Sequence, residues 1–257
     1  MAHRSDFLDV RGVRTHLLKG GRGRPLLVLH HEFGANMWAP YHDALAERFQ
    51  VFAPDHLGFG ESERPDWLDG IDDLVFHYLD LLDVLEIDRL PVLGTSIGGW
   101  IAAALAVAHP ERVERLVLAA PAGIQVDGVP RYDLFANPFE DVLLHLFHEP
   151  ARAAQILPTE YGAEVIVRTY RELTSLARLA WNPYFYDRKL QQRLPRLRTP
   201  TLIVWGENDT FLPPPHAEAF AALVPGAQVA MLPACGHLIP LECGDALVKL
   251  AVDFLNP

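Results

Sequence analysis

Short apolar runs alternate along the chain with longer stretches in which apolar residues recur every three or four positions. The runs are rich in Val, Ile and Leu, as buried strands are, and the longer stretches have the period of a helix packed on one side. The predicted strands are 6–10, 13–18, 25–30, 50–53, 90–93, 113–119, 201–205 and 227–232, and the predicted helices are 38–48, 71–85, 97–108, 216–223 and 241–254. The first two strands should form an antiparallel pair. The alternation predicts an α/β protein with a mostly parallel, eight-stranded sheet and helices on both faces.

The helix predicted at 97–108 has an unusually uniform composition. Ile97, Ile101 and Leu105 recur at every fourth position, and most of the remaining residues are alanine. A helix without a polar face must be covered on most sides. We therefore expect it to pack tightly against the sheet.

The strand pattern stops between 124 and 195, where helical stretches are interrupted by prolines. This interruption predicts a core made of 1–123 and 196–257, with a helical cap inserted at 124–195. Ten of the chain's 25 aromatic residues fall within the insertion. They favour an apolar pocket beneath the cap, although packing of the cap onto the core would also account for them. The side chains expected to line this pocket are Trp38, Phe135, Phe139, Trp181 and Leu238.

The composition argues against several classes of partner. The chain has 22 basic and 33 acidic residues among 257, which gives a formal charge of −11. That charge repels phosphate backbones and anionic membrane surfaces, so we expect neither a nucleic-acid partner nor membrane association. No apolar signal-peptide core begins the chain, and no run reaches the ~20 apolar residues of a membrane-spanning helix, which predicts a cytoplasmic protein. Cys235 and Cys243 are expected to be reduced thiols, because a bridge between them would close only a short loop.

The strongest chemical signal is a serine between two glycines, Gly-Thr-Ser-Ile-Gly-Gly at 94–99. It lies where a predicted buried strand ends and a tightly packed helix begins. A serine on such a turn projects its hydroxyl above the sheet, and glycines two residues to either side relieve the crowding of the reversal. This context predicts that Ser96 is a nucleophile. It also directs the amide of Ile97 at an oxyanion forming beside that serine.

Gly94, Ser96 and Gly98 resemble the nucleophile elbow of the α/β-hydrolase superfamily, and the resemblance covers nearly the whole chain. It implies that a histidine activates the serine and that a carboxylate orients the histidine, in the chain order serine, acid, histidine. His237 follows the last predicted strand, in a loop that resembles the family's histidine loop. The resemblance therefore makes His237 the general base.

The orienting acid implied by the same resemblance is Asp209, which follows the strand predicted at 201–205. Family members usually carry the carboxylate at this position. Glu207, two residues earlier, remains the local alternative. The turn after the strand at 113–119 offers no acid, so it supplies no third candidate.

The second oxyanion donor is harder to assign, because the family's usual His-Gly after the third strand is replaced by His-His-Glu-Phe-Gly at 30–34. The resemblance leaves two candidates, the backbone amides of Glu32 and Phe33. A carboxylate beside a developing negative charge would oppose catalysis. We therefore expect the Glu32 side chain to turn away from Ser96, paired with His31 or held by backbone amides.

Other motifs point to no further chemistry. The loop at 54–62 resembles a family loop whose aspartate and glycines fix a turn beside the site. His145 and His148 lie one helical turn apart, but their spacing matches no zinc-protease motif, so we expect no metal site. The chain has neither a phosphate-binding glycine loop followed by lysine nor a dinucleotide-binding glycine pattern, and no cofactor is implied.

The resemblance implies a serine hydrolase that transfers an acyl group to water, with a small, largely apolar carboxylic ester as substrate. Carbon–carbon bond hydrolysis of ring-cleavage products is the alternative within the same chemistry. Serine rather than aspartate at 96 argues against dehalogenase and epoxide hydrolase activity. A small-molecule receptor, or a lyase or perhydrolase with the same serine and histidine, remains open because fold does not fix function. The expected partner is a small-molecule substrate, and the oligomeric state, a homodimer included, is left open.

Overall fold

The described part of the chain, residues 3–152 and 162–256 in a computed structural model, is built around one mixed sheet. The side chains of Phe139 and Glu140 lie outside this description. The strands are β1 Arg4–Val10, β2 Val13–Gly21, β3 Pro25–Leu29, β4 Gln50–Pro54, β5 Leu90–Thr95, β6 Val113–Ala119, β7 Thr201–Gly206 and β8 Gln228–Leu232. Their order in the sheet is β1-β2-β4-β3-β5-β6-β7-β8. β2 pairs antiparallel with both β1 and β4, and all other neighbours are parallel.

Helices connect the parallel strands, as the alternating pattern predicts. Those with described bounds are α1 Pro40–Ala46, α2 Ile71–Val84, α3 Ile97–Ala108, α4 Phe139–Leu146, α5 Ala163–Ala180, α6 Arg188–Arg193, α7 Pro215–Leu223, α8 Ile239–Glu242 and α9 Gly244–Leu255. A 3₁₀ turn follows α6 at Leu194–Arg196. α1 packs against α9, and α2 packs against α3. The predicted fold class, a mostly parallel eight-stranded α/β sheet covered by helices, is therefore confirmed.

Two helices differ from the expected bounds by more than one residue. α1 begins at Pro40 rather than Trp38, since proline is well suited to the first turn of a helix. The single helix expected at 241–254 is divided into α8 and α9, because Cys243 adopts a non-helical backbone with φ −125° and ψ 35°. The division allows α8 to pack directly behind the loop that carries the last sequence-predicted site residue, His237.

α3 is the most completely covered helix on the sheet. Ile97, Ile101 and Leu105 are all fully buried, which confirms the expectation from their spacing. α3 contacts β3, β5 and β6. It thus anchors the segment that follows β5 in the centre of the protein.

The region predicted to form the cap, 124–195, contains α4, α5, α6 and the start of the 3₁₀ turn. Three hydrogen bonds join α5 to residues 58–62 of the loop after β4. The Ser175 hydroxyl donates to the carbonyl of Gly58 at 2.7 Å, and the Arg171 guanidinium donates to that of Ser62 at 2.6 Å. The third bond runs from the Gly60 amide to the Glu172 carboxylate at 3.1 Å. The loop beside the site and α5 therefore hold each other in place.

Gly98 fits a gap that no larger residue can occupy. A Cβ added there would lie 2.5 Å from the carbonyl oxygen of His30 and still closer to that of Leu29. Gly98→Ala should lower the free energy of unfolding by about 3 kcal/mol, because the backbone of β3 cannot yield as a flexible side chain would. Urea denaturation measures this difference.

Gly162→Ala is the matched control, because a Cβ at that position meets nothing within 4 Å. It should change the free energy of unfolding by less than about 1 kcal/mol. Equal effects of the two substitutions would contradict the proposed tight contact between α3 and β3.

Candidate active site

Ser96 occupies a strained turn between β5 and α3. Its backbone has φ 51° and ψ −117°, a conformation that residues with a Cβ rarely adopt. Gly94 and Gly98 make the turn possible, since a Cβ on Gly94 would lie 2.7 Å from the carbonyl carbon of Gly98. The turn places the hydroxyl at the carboxyl end of the central strands, fully buried. The sequence-predicted nucleophile therefore has the setting of a nucleophile elbow.

The two partners predicted for Ser96 lie beside it in hydrogen-bonding order. His237, in the loop after β8, places Nε2 2.9 Å from the Ser96 hydroxyl oxygen. Its Nδ1 lies 2.7 Å from Oδ2 of Asp209, in the loop after β7. The other oxygen of Asp209 accepts the amides of Phe211 at 2.9 Å and Leu212 at 2.8 Å, so the carboxylate is fixed in orientation. Glu207, the alternative acid, has an exposed side chain.

A buried glutamate in α8 holds the loop of His237, and sequence reasoning missed it. The Glu242 carboxylate accepts the amides of Gly236 at 2.6 Å, His148 at 3.0 Å and Glu149 at 2.9 Å. The amide of His237 donates to the carbonyl of Leu146 at 2.9 Å. The residues at and just after the end of α4, together with α8, therefore hold the histidine loop in place. The only sequence signal was an acidic residue close after the histidine, and its partners come from a distant part of the chain.

Glu32 does not turn away from the site, which corrects the expectation from sequence. Its side chain is fully buried, and Oε1 lies 3.8 Å from Nε2 of His237. Neither carboxylate oxygen has a hydrogen-bond partner within the described ranges. The expected pairing with His31 is therefore absent. Burial, followed by the neighbouring histidines, holds the pKa of His31 well below its usual value. The neutral His31 ring accepts the Phe33 amide on Nδ1 at 3.3 Å and brings no positive charge to Glu32.

His237 is therefore flanked by a carboxylate on each ring nitrogen. Desolvation by burial lowers the pKa of this imidazole, but attraction to Asp209, the hydrogen bond that the ring donates to Asp209 and attraction to Glu32 together outweigh it. The net result is a pKa raised above 6.5. Two further rings, His31 and His216, lie near enough to interact with it, and burial lowers the pKa of both. The site thus favours the imidazolium that would form when Ser96 gives up its proton.

The candidate oxyanion donors lie on the two segments that border Ser96. Ile97 is the first residue of α3, so its N–H has no partner one turn earlier in the helix. Glu32 and Phe33 follow β3, whose end packs against the first turn of α3. The Phe33 amide is already engaged with His31. That contact favours the Glu32 amide as the second donor.

A cavity of about 490 Å³ lies under α4 and α5. Its described walls include Phe33, Phe135, Val142, Ile166 and Leu173, and none of the described lining residues is charged. Phe33, which lines this cavity, follows Glu32 directly in the chain. An apolar ligand portion of moderate size would fit such a space.

Only some of the residues expected to line the pocket lie at this cavity. Phe135 lines the cavity, and the ring of Trp181 packs against it at 5.1 Å while remaining 60% exposed. Leu238 is buried next to the catalytic candidate His237. The side chain of Phe139 lies outside the described residues.

Trp38 lies away from the cavity walls described above. Its ring stacks on His3 at 4.9 Å and covers Gly20 of β2, and its indole N–H donates to Asp43 at 3.0 Å. The segment before α1 carries the tryptophan towards the antiparallel edge of the sheet. Sequence alone gave no indication of this direction.

The loop at 54–62 forms the tight turn expected of it. Asp55 accepts the amide of Glu61 at 2.9 Å and pairs with His16 at 2.8 Å. Gly58 and Gly60 both have positive φ. The turn is therefore built from its own aspartate and glycines.

Other candidate ligands serve structural contacts in the described ranges. The His145 ring stacks on Tyr132 at 3.7 Å and shares a hydrogen bond with Thr210, while His148 bonds through its amide. No group of three or more metal-binding side chains is found among the residues that the structure describes. Neither does any helix in those ranges have the length and apolar character needed to cross a bilayer. Cys235 and Cys243 are both free.

Comparison with known proteins assigns the family. The model of the alpha/beta hydrolase fold family matches residues 25–242, which is most of the chain. The chain therefore belongs to the α/β-hydrolase fold family.

Individual relatives cover the chain almost from end to end. It is 32% identical to 2-hydroxymuconate semialdehyde hydrolase from Pseudomonas sp. (strain CF600), over 95% of this chain and 91% of the relative. Identity is 28% to 2-hydroxy-6-oxo-6-phenylhexa-2,4-dienoate hydrolase from Burkholderia cepacia, over 94% and 91% of the two chains. Among solved structures, a serine hydrolase involved in carbazole degradation superposes with a TM-score of 0.80 at 25% identity, with 99% of each chain covered.

Neutralising Glu32 should lower the pKa of His237, since it removes one of the two negative charges that flank the ring. A general base must be neutral, so activity should fall as the pH drops through a pKa above 6.5 in the parent protein. In Glu32→Gln this fall should move to lower pH by up to about one pH unit. NMR titration of the His237 ring measures the change without a substrate.

The matched control is Glu47→Gln, which removes an exposed carboxylate at the end of α1. It should leave the His237 titration where it is in the parent. A Glu32→Gln protein with the parent's His237 titration would show that Glu32 carries no charge felt by the ring.

Proposed function

We propose that this protein is a serine hydrolase that cleaves a carbon–carbon bond beside a ketone, in a dienoate of the kind produced by ring cleavage. The observation that supports the chemistry is the hydrogen-bonded line from Ser96 through His237 to Asp209. The substrate class is supported by the 32% identity to 2-hydroxymuconate semialdehyde hydrolase over nearly the whole chain. The proposal also takes 124–195 as a cap over the site.

The first half-reaction starts at the ketone carbonyl. Ser96 Oγ attacks the carbonyl carbon while His237 Nε2 takes the hydroxyl proton. The amides of Ile97 and Glu32 would stabilise the oxyanion. Collapse of this intermediate breaks the bond between the carbonyl carbon and its neighbour, and the proton held by His237 passes to the leaving carbon. Ser96 is left as an ester of the carboxylic acid product.

The second half-reaction returns the enzyme to its starting state. Water attacks the acyl carbon as it gives a proton to His237, and that proton then passes to Ser96 Oγ as the acid leaves. Asp209 stays ionised throughout and holds Nδ1–H of His237 in place. The side chains that act in these steps are the three joined by hydrogen bonds in the structure, Ser96, His237 and Asp209.

Hydrolysis of a neutral carboxylic ester is the second candidate, and the electrostatics of the pocket favour it. A dienoate carries a carboxylate, whereas the described cavity walls are uncharged and Glu32 adds a buried acid beside the reacting atoms. An ester would bring no such charge into the site. The same nucleophile, base and acid would act on either substrate.

Ser96→Ala and His237→Ala should each lower kcat by at least about a thousandfold, because each removes a group that the attack requires. The double substitution should cost little more than either single change, since the two groups act as one unit. Steady-state kinetics on the preferred substrate measures these losses. A Ser96→Ala protein within about tenfold of the parent would contradict the mechanism.

Asp209→Asn should lower kcat less than either of those changes, but far more than Glu207→Gln. The two residues are neighbours on one loop, yet only Asp209 bonds to His237. Kinetics of the pair at one pH tests which carboxylate orients the base. Greater loss in Glu207→Gln would reverse the assignment.

The substrate class is tested by comparing two kinds of compound on one enzyme preparation. A 2-hydroxy-6-oxo-dienoate is followed by the loss of its visible absorbance, and p-nitrophenyl esters of increasing acyl length are followed by release of p-nitrophenolate. We expect faster Ser96-dependent turnover of the dienoate. Faster turnover of the esters would assign the protein as an esterase, and tight binding without turnover of either would overturn the hydrolase proposal in favour of a receptor.

A further inference from the structure

We propose that the Glu32 side chain and His237 together hold the water molecule that hydrolyses the acyl-Ser96 intermediate. The inference rests on the proposed serine mechanism, and it gives a role to a carboxylate that this mechanism otherwise leaves idle. The role belongs to the second half-reaction. It is distinct from that of the Glu32 backbone amide, which serves the oxyanion.

Glu32 differs from every other buried acid among the described residues. Asp55, Asp209, Glu172 and Glu242 are also buried, and each accepts at least one hydrogen bond from the protein. The carboxylate of Glu32 is fully buried, and neither of its oxygens accepts one. Leaving such a group without a partner is destabilising by about 1–3 kcal/mol or more. A carboxylate held at that expense in an active site points to a partner that arrives during the reaction.

The separation between Glu32 and His237 suits one bridging water. Oε1 of Glu32 and Nε2 of His237 are 3.8 Å apart, which is too far for a direct hydrogen bond. A water that donates one hydrogen to each of two acceptors at about 2.8 Å holds those acceptors roughly 4 Å apart. The same Nε2 lies 2.9 Å from Ser96 Oγ, so a water bound there is next to the acyl carbon.

The geometry assigns the two hydrogens of this water different roles. One hydrogen is donated to Nε2 of His237 and is transferred to that nitrogen as the water oxygen attacks the acyl carbon. The other hydrogen stays on the water oxygen and is donated to the Glu32 carboxylate. This orientation keeps a lone pair of the water oxygen directed at the acyl carbon. When the bond from the acyl carbon to Ser96 Oγ breaks, His237 returns its proton to that oxygen. Glu32 starts and ends the step in the same protonation state.

A purely electrostatic role for Glu32 predicts a different result. If the carboxylate only raised the pKa of His237, its removal would affect both half-reactions, because His237 acts in each. A water-holding role affects the second half-reaction alone. Measuring the two half-reactions separately therefore distinguishes these roles.

The experiment is stopped-flow release of p-nitrophenolate from p-nitrophenyl butyrate by the parent, Glu32→Leu and Glu32→Gln. In Glu32→Leu we expect a burst of about one p-nitrophenolate per enzyme, then a steady rate about ten- to hundredfold below that of the parent. Glu32→Gln keeps an oxygen that accepts a hydrogen bond, so its steady rate should lie between the two. The burst amplitude counts competent sites, and therefore a misfolded variant cannot imitate this result.

Added hydroxylamine gives a second readout. A strong nucleophile does not depend on a held water, so it should restore the steady rate of Glu32→Leu by a larger factor than that of the parent. Glu47→Gln is the control for loss of an acidic residue, because its carboxylate is exposed on α1. It should match the parent in the burst and in the steady rate.

Three results would overturn the inference, and they differ in whether the proposed function survives. Equal slowing of the burst and the steady rate in Glu32→Leu, or a steady rate equal to the parent's, would remove the water-holding role and leave the serine mechanism intact. Release of p-nitrophenolate by the parent that does not depend on Ser96 would overturn the proposed function, and the inference with it.

Discussion

The close contact between the first turn of α3 and the end of β3 is the constraint on which the site depends. Gly98 lies so near the carbonyls of Leu29 and His30 that no side chain fits between them. This contact fixes where α3 begins, and so it fixes the strained backbone of Ser96 two residues earlier. It also brings the chain that leaves β3, with Glu32 on it, to the same place. The proposed nucleophile, the candidate oxyanion donors and the buried carboxylate are thus brought together by one packing contact.

Next to that contact, the carboxylates of Asp209 and Glu32 flank the imidazole ring of His237. Asp209 is stabilised by two backbone amides and by His237, whereas Glu32 has no such support from the described residues. Burial would disfavour a charged ring, yet the two acids reverse the effect and raise the pKa of His237. The site is therefore prepared for the charge that appears when the serine loses its proton.

Sequence predicted the parts of the molecule that depend on repeating patterns. β6 has the predicted bounds, because the apolar run at its carboxyl end, 116–119, is fully buried between parallel neighbours in the sheet. Ser96, Asp209 and His237 were predicted from their positions after strands and from the family resemblance, and the sheet brings them within hydrogen-bonding distance at one edge. The predicted direction of the Glu32 side chain was wrong, and so was the predicted place of Trp38 in the pocket, because a side chain in a loop points where local φ and ψ send it. Glu242 was missed because its partners are distant in the chain.

The error over Glu32 has a physical origin in the histidine that precedes it. His31 stands where the family usually has glycine, and its ring is neutral in the dry interior, as its lowered pKa requires. The ring accepts the Phe33 amide and brings no positive charge to the glutamate. That contact engages the Phe33 amide, while the Glu32 carboxylate lies 3.8 Å from His237 with no hydrogen-bond partner among the described residues. The residue in the place of the usual glycine thus bears both on the candidate oxyanion donors and on the charge that Glu32 keeps. The rule that a buried carboxylate is hydrogen-bonded is broken by Glu32, next to the atoms proposed to react. Such an exception is expected where function rather than stability determines a residue.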